Sequence, residues 1–117
     1  MTKPFRLKRP EPSEADVLSA VLTCLRYHPR VAWAHRFNTA AGNLVRAKGN
    51  SQFMRFGFPG CPDVLGQLRD GRVLACEVKR PSGATTPEQD AFLDCVRANG
   101  GVALVARSVD DLLRALA

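Results

Sequence analysis

The first apolar positions of the chain recur at helical spacing. Ser13 can cap a helix that runs to about Tyr27 and ends before Pro29, since the residue before a proline disfavours helical backbone. The stripe that predicts the buried face of this helix consists of Leu18, Val21, Leu22 and Leu25. Glu14 lies four residues before Leu18 and so shares the inward side. The helix dipole accounts for an acid in the first turn, but a metal-binding carboxylate would also account for its inward position.

Short apolar runs alternate with helical patterns further along the chain. The segment 39–61 has no clear period, and a loop of that length is usually functional or disordered. Thr86, Pro87 and Gln89 form a capping-box sequence, which by itself explains Gln89. The other predicted elements are a strand over 31–38, a hairpin over 60–80, a helix that ends at Gly100-Gly101, a strand over 102–106, and a last helix capped by Ser108 with Leu112, Leu113 and Leu116 packed inward. The order αβββαβα predicts an α/β fold with a small mixed sheet flanked by helices.

The predicted hairpin carries the most informative pattern. Its two apolar runs flank Asp70-Gly71, which is a strong turn signal, and the second run extends over 73–78. Because strand side chains alternate, Glu77 and Lys79 share one face, while apolar residues occupy both faces. That pattern is typical of a central strand covered on both sides. A carboxylate and an ammonium are costly in such a place unless they have partners, which indicates a site.

Pro62-Asp63 followed by Glu77-Val78-Lys79 resembles the PD-(D/E)xK nuclease signature. Two carboxylates and the Val78 carbonyl can hold Mg²⁺, a hard cation that prefers oxygen ligands. Such an ion lowers the pKa of its bound water and stabilises the charge that develops during phosphodiester hydrolysis. The neighbouring Lys79 could orient the attacking water, or deprotonate it as a neutral amine. The alternative is an ordinary Glu/Lys pair at a solvated hairpin end.

The metal hypothesis predicts the register of the hairpin. A two-residue turn would place Asp63 opposite Val78 and therefore on the other face from Glu77. A three-residue loop over 69–71 places Asp63 directly across from Glu77, so that both carboxylates can reach one ion. We therefore predict a three-residue loop, or an equivalent bulge, with a positive φ at Gly71.

The charge of the chain is unevenly distributed. At 117 residues with a net charge of +6, it is one domain that favours a polyanionic partner. Residues 1–60 hold ten Lys/Arg and three Asp/Glu, a balance of +7, whereas residues 61–117 hold seven and eight, a balance of −1. Residues 1–12 are predicted to form a flexible basic tail, and a solubilising role would explain its charge equally well. The basic residues that we expect to contact DNA are Arg36, Arg46, Lys48, Arg55 and Arg80.

The four cysteines, Cys24, Cys61, Cys76 and Cys95, have no spacing typical of a zinc site. Free cysteines inside regular elements are typical of a reduced protein, so we expect a cytoplasmic location in a bacterial or phage-infected cell. No apolar run has the length of a membrane span, and no membrane partner is expected.

Five segments in this order resemble a stand-alone VRR-NUC nuclease domain of phage and bacterial type. They are Gly-Phe-Pro-Gly-Cys-Pro-Asp at 57–63, Glu-Val-Lys-Arg-Pro-x-Gly at 77–83, Thr-Pro-Glu-Gln at 86–89, Gly-Gly-Val-Ala at 100–103 and Ser-Val-Asp-Asp-Leu at 108–112. The resemblance covers residues 13–117 and implies one nuclease domain with a restriction-endonuclease-like core.

This resemblance implies a metal-dependent endodeoxyribonuclease that uses Mg²⁺ or Mn²⁺. The implied metal ligands are Glu14, Asp63, Glu77 and the Val78 carbonyl, with Lys79 catalytic and Gln89 positioning phosphate or water. Stand-alone members resemble homodimeric enzymes that resolve four-way (Holliday) junctions, and a eukaryotic relative in DNA repair prefers flaps. Branched DNA is thus the expected partner. The alternatives are a non-catalytic DNA-binding module of the same fold and a flap- or restriction-type nuclease.

Overall fold

The computed structural model describes residues 9–37 and 57–117 with their side chains, and the backbone of residues 41–45 and 51–55. Its elements follow the chain as α1 (Glu14–Tyr27), β1 (Val31–Arg36), β2 (Ala41–Val45), β3 (Ser51–Arg55), β4 (Val64–Leu68), β5 (Val73–Val78), α2 (Pro87–Ala98), β6 (Val102–Ala106) and α3 (Val109–Ala115). None of the helices in these described parts is long and apolar enough to cross a membrane.

The main sheet has the strand order β1-β4-β5-β6. The pairs β1–β4 and β4–β5 are antiparallel and β5–β6 is parallel, so the sheet is mixed, as predicted. With neighbours on both edges and five consecutive buried residues, β5 is the central strand that its two-faced apolar pattern predicted. Apart from one additional hairpin, the element order is the predicted αβββαβα.

That additional hairpin lies within the segment that we predicted to lack regular structure. Strands β2 and β3 pair in antiparallel register from Ala41 opposite Arg55 to Val45 opposite Ser51, as a separate two-stranded sheet. The prediction of a structureless loop over 39–61 was therefore wrong for these ten positions. A ladder of backbone hydrogen bonds needs no apolar periodicity, and the periodicity was the only signal we used.

Helices cover both faces of the main sheet. The larger core joins one face to α1 and α3, with Val21, Leu25 and Leu112 fully buried. On the other face, α2 packs its buried Leu93 against Ala75 and Ala103. In α1 the fully inward positions are Val17, Val21 and Leu25, and the predicted Leu18 and Leu22 are only partly buried.

The last helix differs from its prediction at one position. Leu112 and Leu116 are buried as expected, but Leu113 is 43% exposed. Residues four apart share a helix face, whereas adjacent residues are separated by about 100°. A helix of seven residues therefore buries one narrow stripe, and Leu113 lies outside it.

The register of the β4–β5 hairpin confirms the three-residue loop. Gln67 lies opposite Val73, and the Leu68 N–H donates to the Arg72 carbonyl at 2.8 Å, so the loop comprises residues 69–71. Gly71 has a φ of +95°. The same register places Asp63, one residue before β4, across from Glu77. One oxygen of each carboxylate lies within 4.8 Å of the other, and Asp63 also lines the cleft against α1.

The loop before β4 is held against the amino-terminal end of α2. Gly60 has a φ of +79°, and a Cβ atom built there would lie 2.2 Å from the Glu88 carbonyl oxygen. Phe58 packs on Phe92 with ring centroids 5.0 Å apart. Asp63 follows Gly60 by three positions, and Gln89 directly follows Glu88. The close approach of Gly60 to Glu88 therefore fixes Asp63 and Gln89 relative to each other.

We predict that Gly60→Ala destabilises the protein more than Gly71→Ala. Both substitutions impose backbone strain of about 1–2 kcal/mol, because both glycines have positive φ. Only Gly60→Ala adds a clash, which should cost about 1–3 kcal/mol more. Urea denaturation measures the difference. Gly100→Ala, also at positive φ but in open space, is the matched control and should behave like Gly71→Ala.

Candidate metal centre

Three carboxylates from three different elements meet at one end of the sheet. Asp63 directly precedes β4, Glu77 is the second-last residue of β5, and Glu14 is the first residue of α1. One oxygen from each lies within 4.8 Å of the others. Like charges at this separation repel each other unless a cation or a shared proton lies between them.

Asp63 is oriented by the backbone around it. Its Oδ2 accepts a hydrogen bond of 2.7 Å from the Val78 N–H, and its carbonyl accepts one of 2.7 Å from the Phe37 N–H. Strands β1 and β5 therefore hold Asp63 from both sides.

Glu77 is the buried member of the cluster, with a relative exposure of 2%. Its Oε1 accepts a hydrogen bond of 3.0 Å from Gln89 Nε2, and Lys79 Nζ lies 3.9 Å from the same oxygen. Its Oε2 is buried and has no hydrogen-bond partner among the described residues. An ionised carboxylate oxygen in this position is costly, and that cost is relieved either by a proton hydrogen-bonded between Glu77 and Asp63 or by a bound cation.

Burial, together with the hydrogen bond and the repulsion from the neighbouring Asp63 carboxyl, raises the pKa of Glu77 to about 8. The Lys79 ammonium opposes this shift but does not cancel it, while Glu14 adds to it. Near neutral pH the metal-free protein therefore keeps a proton on Glu77. A divalent cation could replace that proton and neutralise the excess negative charge.

Glu14 and Lys79 close the site on its outer side. The Glu14 side chain is 52% exposed, yet its Oε1 lies 3.9 Å from Lys79 Nζ. Ser13 caps α1 through a reciprocal pair of hydrogen bonds with Asp16, which leaves the Glu14 carboxylate to face the cluster. Its place in the first turn suits the helix dipole as well, so the two explanations we gave for Glu14 are compatible.

Gln89 caps α2 and also contacts the carboxylate cluster. Its Oε1 accepts the Thr86 N–H at 2.9 Å, while its backbone N–H donates to the Thr86 hydroxyl at 3.2 Å, which completes the predicted capping box. Its Nε2 then donates to Glu77 Oε1. The cap of α2 thus fixes the amide that holds the buried acid.

A cleft of about 490 Å³ opens beside the carboxylates, between α1 and the sheet. Glu14, Asp63 and Val78 lie along one side, and Arg36 lines it as well. The helix contributes the rest of the lining through Ala15, Leu18, Ser19 and Leu22. A polyanion entering this cleft would meet a guanidinium next to the acidic cluster.

The site residues predicted from sequence fall into two groups. The structure brings together Glu14, Asp63, Glu77, Val78, Lys79, Gln89 and Arg36. Arg80 is exposed just after the site. Arg46 and Lys48 lie outside the described residues, and for Arg55 only the backbone is described. His28 Nδ1 accepts the Arg30 N–H, and His35 stacks on Trp33.

The sequence analysis missed one contact next to the site. The Glu11 carboxylate accepts hydrogen bonds from the Ser82 N–H and, at 2.9 Å, from its hydroxyl. These bonds lower the pKa of Glu11 and tie the segment before α1 to the turn that follows Lys79. Nothing in the spacing of two residues so far apart in the chain could have indicated this pairing.

No family model, no curated protein and no solved structure matches this chain.

We predict that the metal-free protein becomes less stable as the pH rises from 5 to 9. The pKa of Glu77 is 4.5 in an unfolded reference and about 8 in the folded protein. Below pH 4.5 Glu77 is protonated in both the folded and the unfolded state, so its titration does not change the free energy of unfolding. Between the two values only the unfolded state loses the proton, so the free energy of unfolding falls by up to about 1.4 kcal/mol per pH unit and then levels off.

Urea denaturation in EDTA across this range measures the effect. Glu77→Gln should flatten the dependence, because an amide does not titrate. Asp110→Asn, which changes an exposed acid of α3 outside the site, is the control and should retain the wild-type slope. Parallel profiles for wild type and Glu77→Gln would show that Glu77 titrates normally.

Proposed function

We propose that the protein is a divalent-metal-dependent endonuclease that hydrolyses phosphodiester bonds in DNA. The observation that carries the proposal is the cluster of Glu14, Asp63 and Glu77, in which one oxygen of each carboxylate lies within 4.8 Å of the others, around a Glu77 whose buried Oε2 has no hydrogen-bond partner among the described residues. Hard cations such as Mg²⁺ and Mn²⁺ prefer this oxygen-only donor set. The resemblance to VRR-NUC domains implies the same ligands.

In this proposal Asp63, Glu77 and Glu14 hold the cation, and the Val78 carbonyl adds a fourth oxygen. When bound, the cation would supply an activated water and charge stabilisation at the phosphate. Lys79 has its side-chain nitrogen beside two of the acids. There the ammonium can orient the water by donating a hydrogen bond, and only the neutral amine could take its proton. Gln89 is a positioning residue, since it holds Glu77 through Oε1 and leaves Oε2 for the ligand.

Charge supports nucleic acid as the substrate. The chain has a net charge of +6, with the excess in residues 1–60, and Arg36 lines the cleft beside the acids. Such a distribution draws a polyanion toward an acidic centre that it would otherwise avoid. The preference for branched DNA such as four-way junctions comes from the family resemblance. The four cysteines are free thiols, which fits the cytoplasmic location that we propose.

We predict that Asp63→Asn and Glu77→Gln abolish metal-dependent cutting, because each removes a proposed metal ligand. DNA binding in EDTA should be equal or tighter, since Asp63→Asn removes a negative charge near phosphate and Glu77→Gln replaces a carboxyl that is already protonated. Lys79→Ala should abolish cutting with metal binding largely kept, since the ammonium is not a ligand. Cleavage of linear, flap and four-way-junction DNA in Mg²⁺, Mn²⁺ or EDTA measures activity, and calorimetry measures metal binding.

Arg97→Ala is a suitable control, because Arg97 pairs with Asp94 on α2 and lies outside the cluster. It should cut like the wild type. Wild-type activity in Lys79→Ala would contradict the assignment of the site. Tight DNA binding without cutting under any metal condition would favour the non-catalytic binding module.

We also propose that the protein acts as a homodimer. One chain contributes one carboxylate cluster among its described residues, whereas symmetric incision of a four-way junction requires two. Sedimentation velocity at micromolar concentration should show a dimer, either alone or with junction DNA. A monomer under both conditions would exclude symmetric junction resolution by this protein.

A further inference from the structure

An exposed row of aromatic rings leads along strand β1 toward the carboxylate cluster. Trp33, His35 and Phe37, which we call the aromatic column, lie on one face of this edge strand. Trp33 is 46% exposed and Phe37 is 39% exposed, and His35 is exposed as well. Covering a large aromatic side chain with a ligand is energetically favourable, so an exposed row of such side chains needs a physical explanation.

The strand register places the aromatic column on the same face as the buried acid. Trp33 pairs with Gln67 and His35 pairs with Leu65, while the Phe37 N–H donates to the Asp63 carbonyl. Cross-strand neighbours share a face, so Phe37, Asp63 and Glu77 form one row across three strands. Helix α2 covers the β5 and β6 part of this face and leaves β1 open.

The rings in the column are held in place before any ligand arrives. The Trp33 indole N–H donates to Gln67 Oε1 at 3.1 Å, and Gln67 Nε2 donates to the Gly71 carbonyl at 3.1 Å. Trp33 and His35 stack with ring centroids 5.8 Å apart. A preorganised ring loses little conformational freedom on binding, which favours stacking by a planar ligand.

We propose that the aromatic column binds an unpaired stretch of DNA strand through base stacking, next to the carboxylate cluster. Side chains two apart on a strand are spaced by about 7 Å, so Trp33 lies about 14 Å from the row of Asp63. Aromatic rings on an open sheet face stack successive bases of a single strand and tolerate any sequence. This inference rests on the proposed DNA substrate and specifies that the strand is unpaired beside the cut.

Charge favours a nucleic-acid strand over a second copy of the chain. No Asp or Glu occurs between Asp16 and Asp63, and Arg36 stands between His35 and Phe37 in the chain. The half-buried Arg30 is held instead by the Leu116 and Ala117 carbonyls. A two-fold copy paired antiparallel along β1 would bring together two edge strands that each carry Arg36 and no acid. That contact is repulsive, whereas a phosphate backbone along the same edge would neutralise Arg36.

Trp33 is the only tryptophan in the chain, so its fluorescence reports directly on the column. In EDTA, where no cutting occurs, oligo(dT) should quench the emission of Trp33, and an abasic oligonucleotide of equal length should not. His35→Ala and Phe37→Ala should each weaken oligo(dT) binding by roughly tenfold. Tyr27→Ala removes an aromatic ring that is 85% exposed at the end of α1, and it should leave the affinity unchanged.

Equal quenching by the abasic oligonucleotide, or equal weakening by Tyr27→Ala, would overturn the proposal. Quenching that depends on protein concentration without DNA would also overturn it, since a second copy would then cover the column. Because the titration needs no metal, its result is separate from that of the cleavage assay. Quenching without any cleavage activity would support the column and contradict the proposed nuclease function.

Discussion

The burial of the Glu77 carboxylate is the constraint on which the rest of the structure depends. A carboxylate that is 2% exposed, with Asp63 and Glu14 beside it, cannot carry its charge without compensation. Lys79 and Gln89 reach Oε1 and leave Oε2 without a partner among the described residues. The raised pKa of Glu77 reflects the unfavourable free energy of ionising this buried carboxyl. A divalent cation, which prefers oxygen ligands, would stabilise the ionised form by its charge.

The surrounding fold holds this arrangement through contacts that have structural roles of their own. The three-residue loop before β5 sets the register that brings Asp63 across from Glu77. The capping box of α2 fixes Gln89, and the close approach of Gly60 to Glu88 fixes α2 against the loop before β4. A small error in any of these contacts would separate the carboxylates, because each one lies on a different element.

Much of the site could be predicted because chemistry restricted the choices. Two acids that share an ion must lie on one sheet face, and that requirement alone selected the loop length and the positive φ of Gly71. Glu14 followed from its place on the helical stripe. The hairpin of β2 and β3 has no apolar period, the exposure of Leu113 depends on how little of a seven-residue helix is buried, and the pairing of Glu11 with Ser82 depends on tertiary structure. Local sequence patterns carry no information on a contact such as that of Glu11 with Ser82, because the two residues are far apart in the chain.

Calorimetric titration of the protein with Mn²⁺ tests the central claim most directly, when it is performed at pH 7 in buffers of different ionisation enthalpy. If the cation binds at the cluster, it must displace the proton held by Glu77, whose pKa is about 8. Binding should therefore release close to one proton per ion at pH 7 and much less at pH 9, and Glu77→Gln should abolish the release. Absence of binding, or binding that releases no proton at pH 7, would contradict the account.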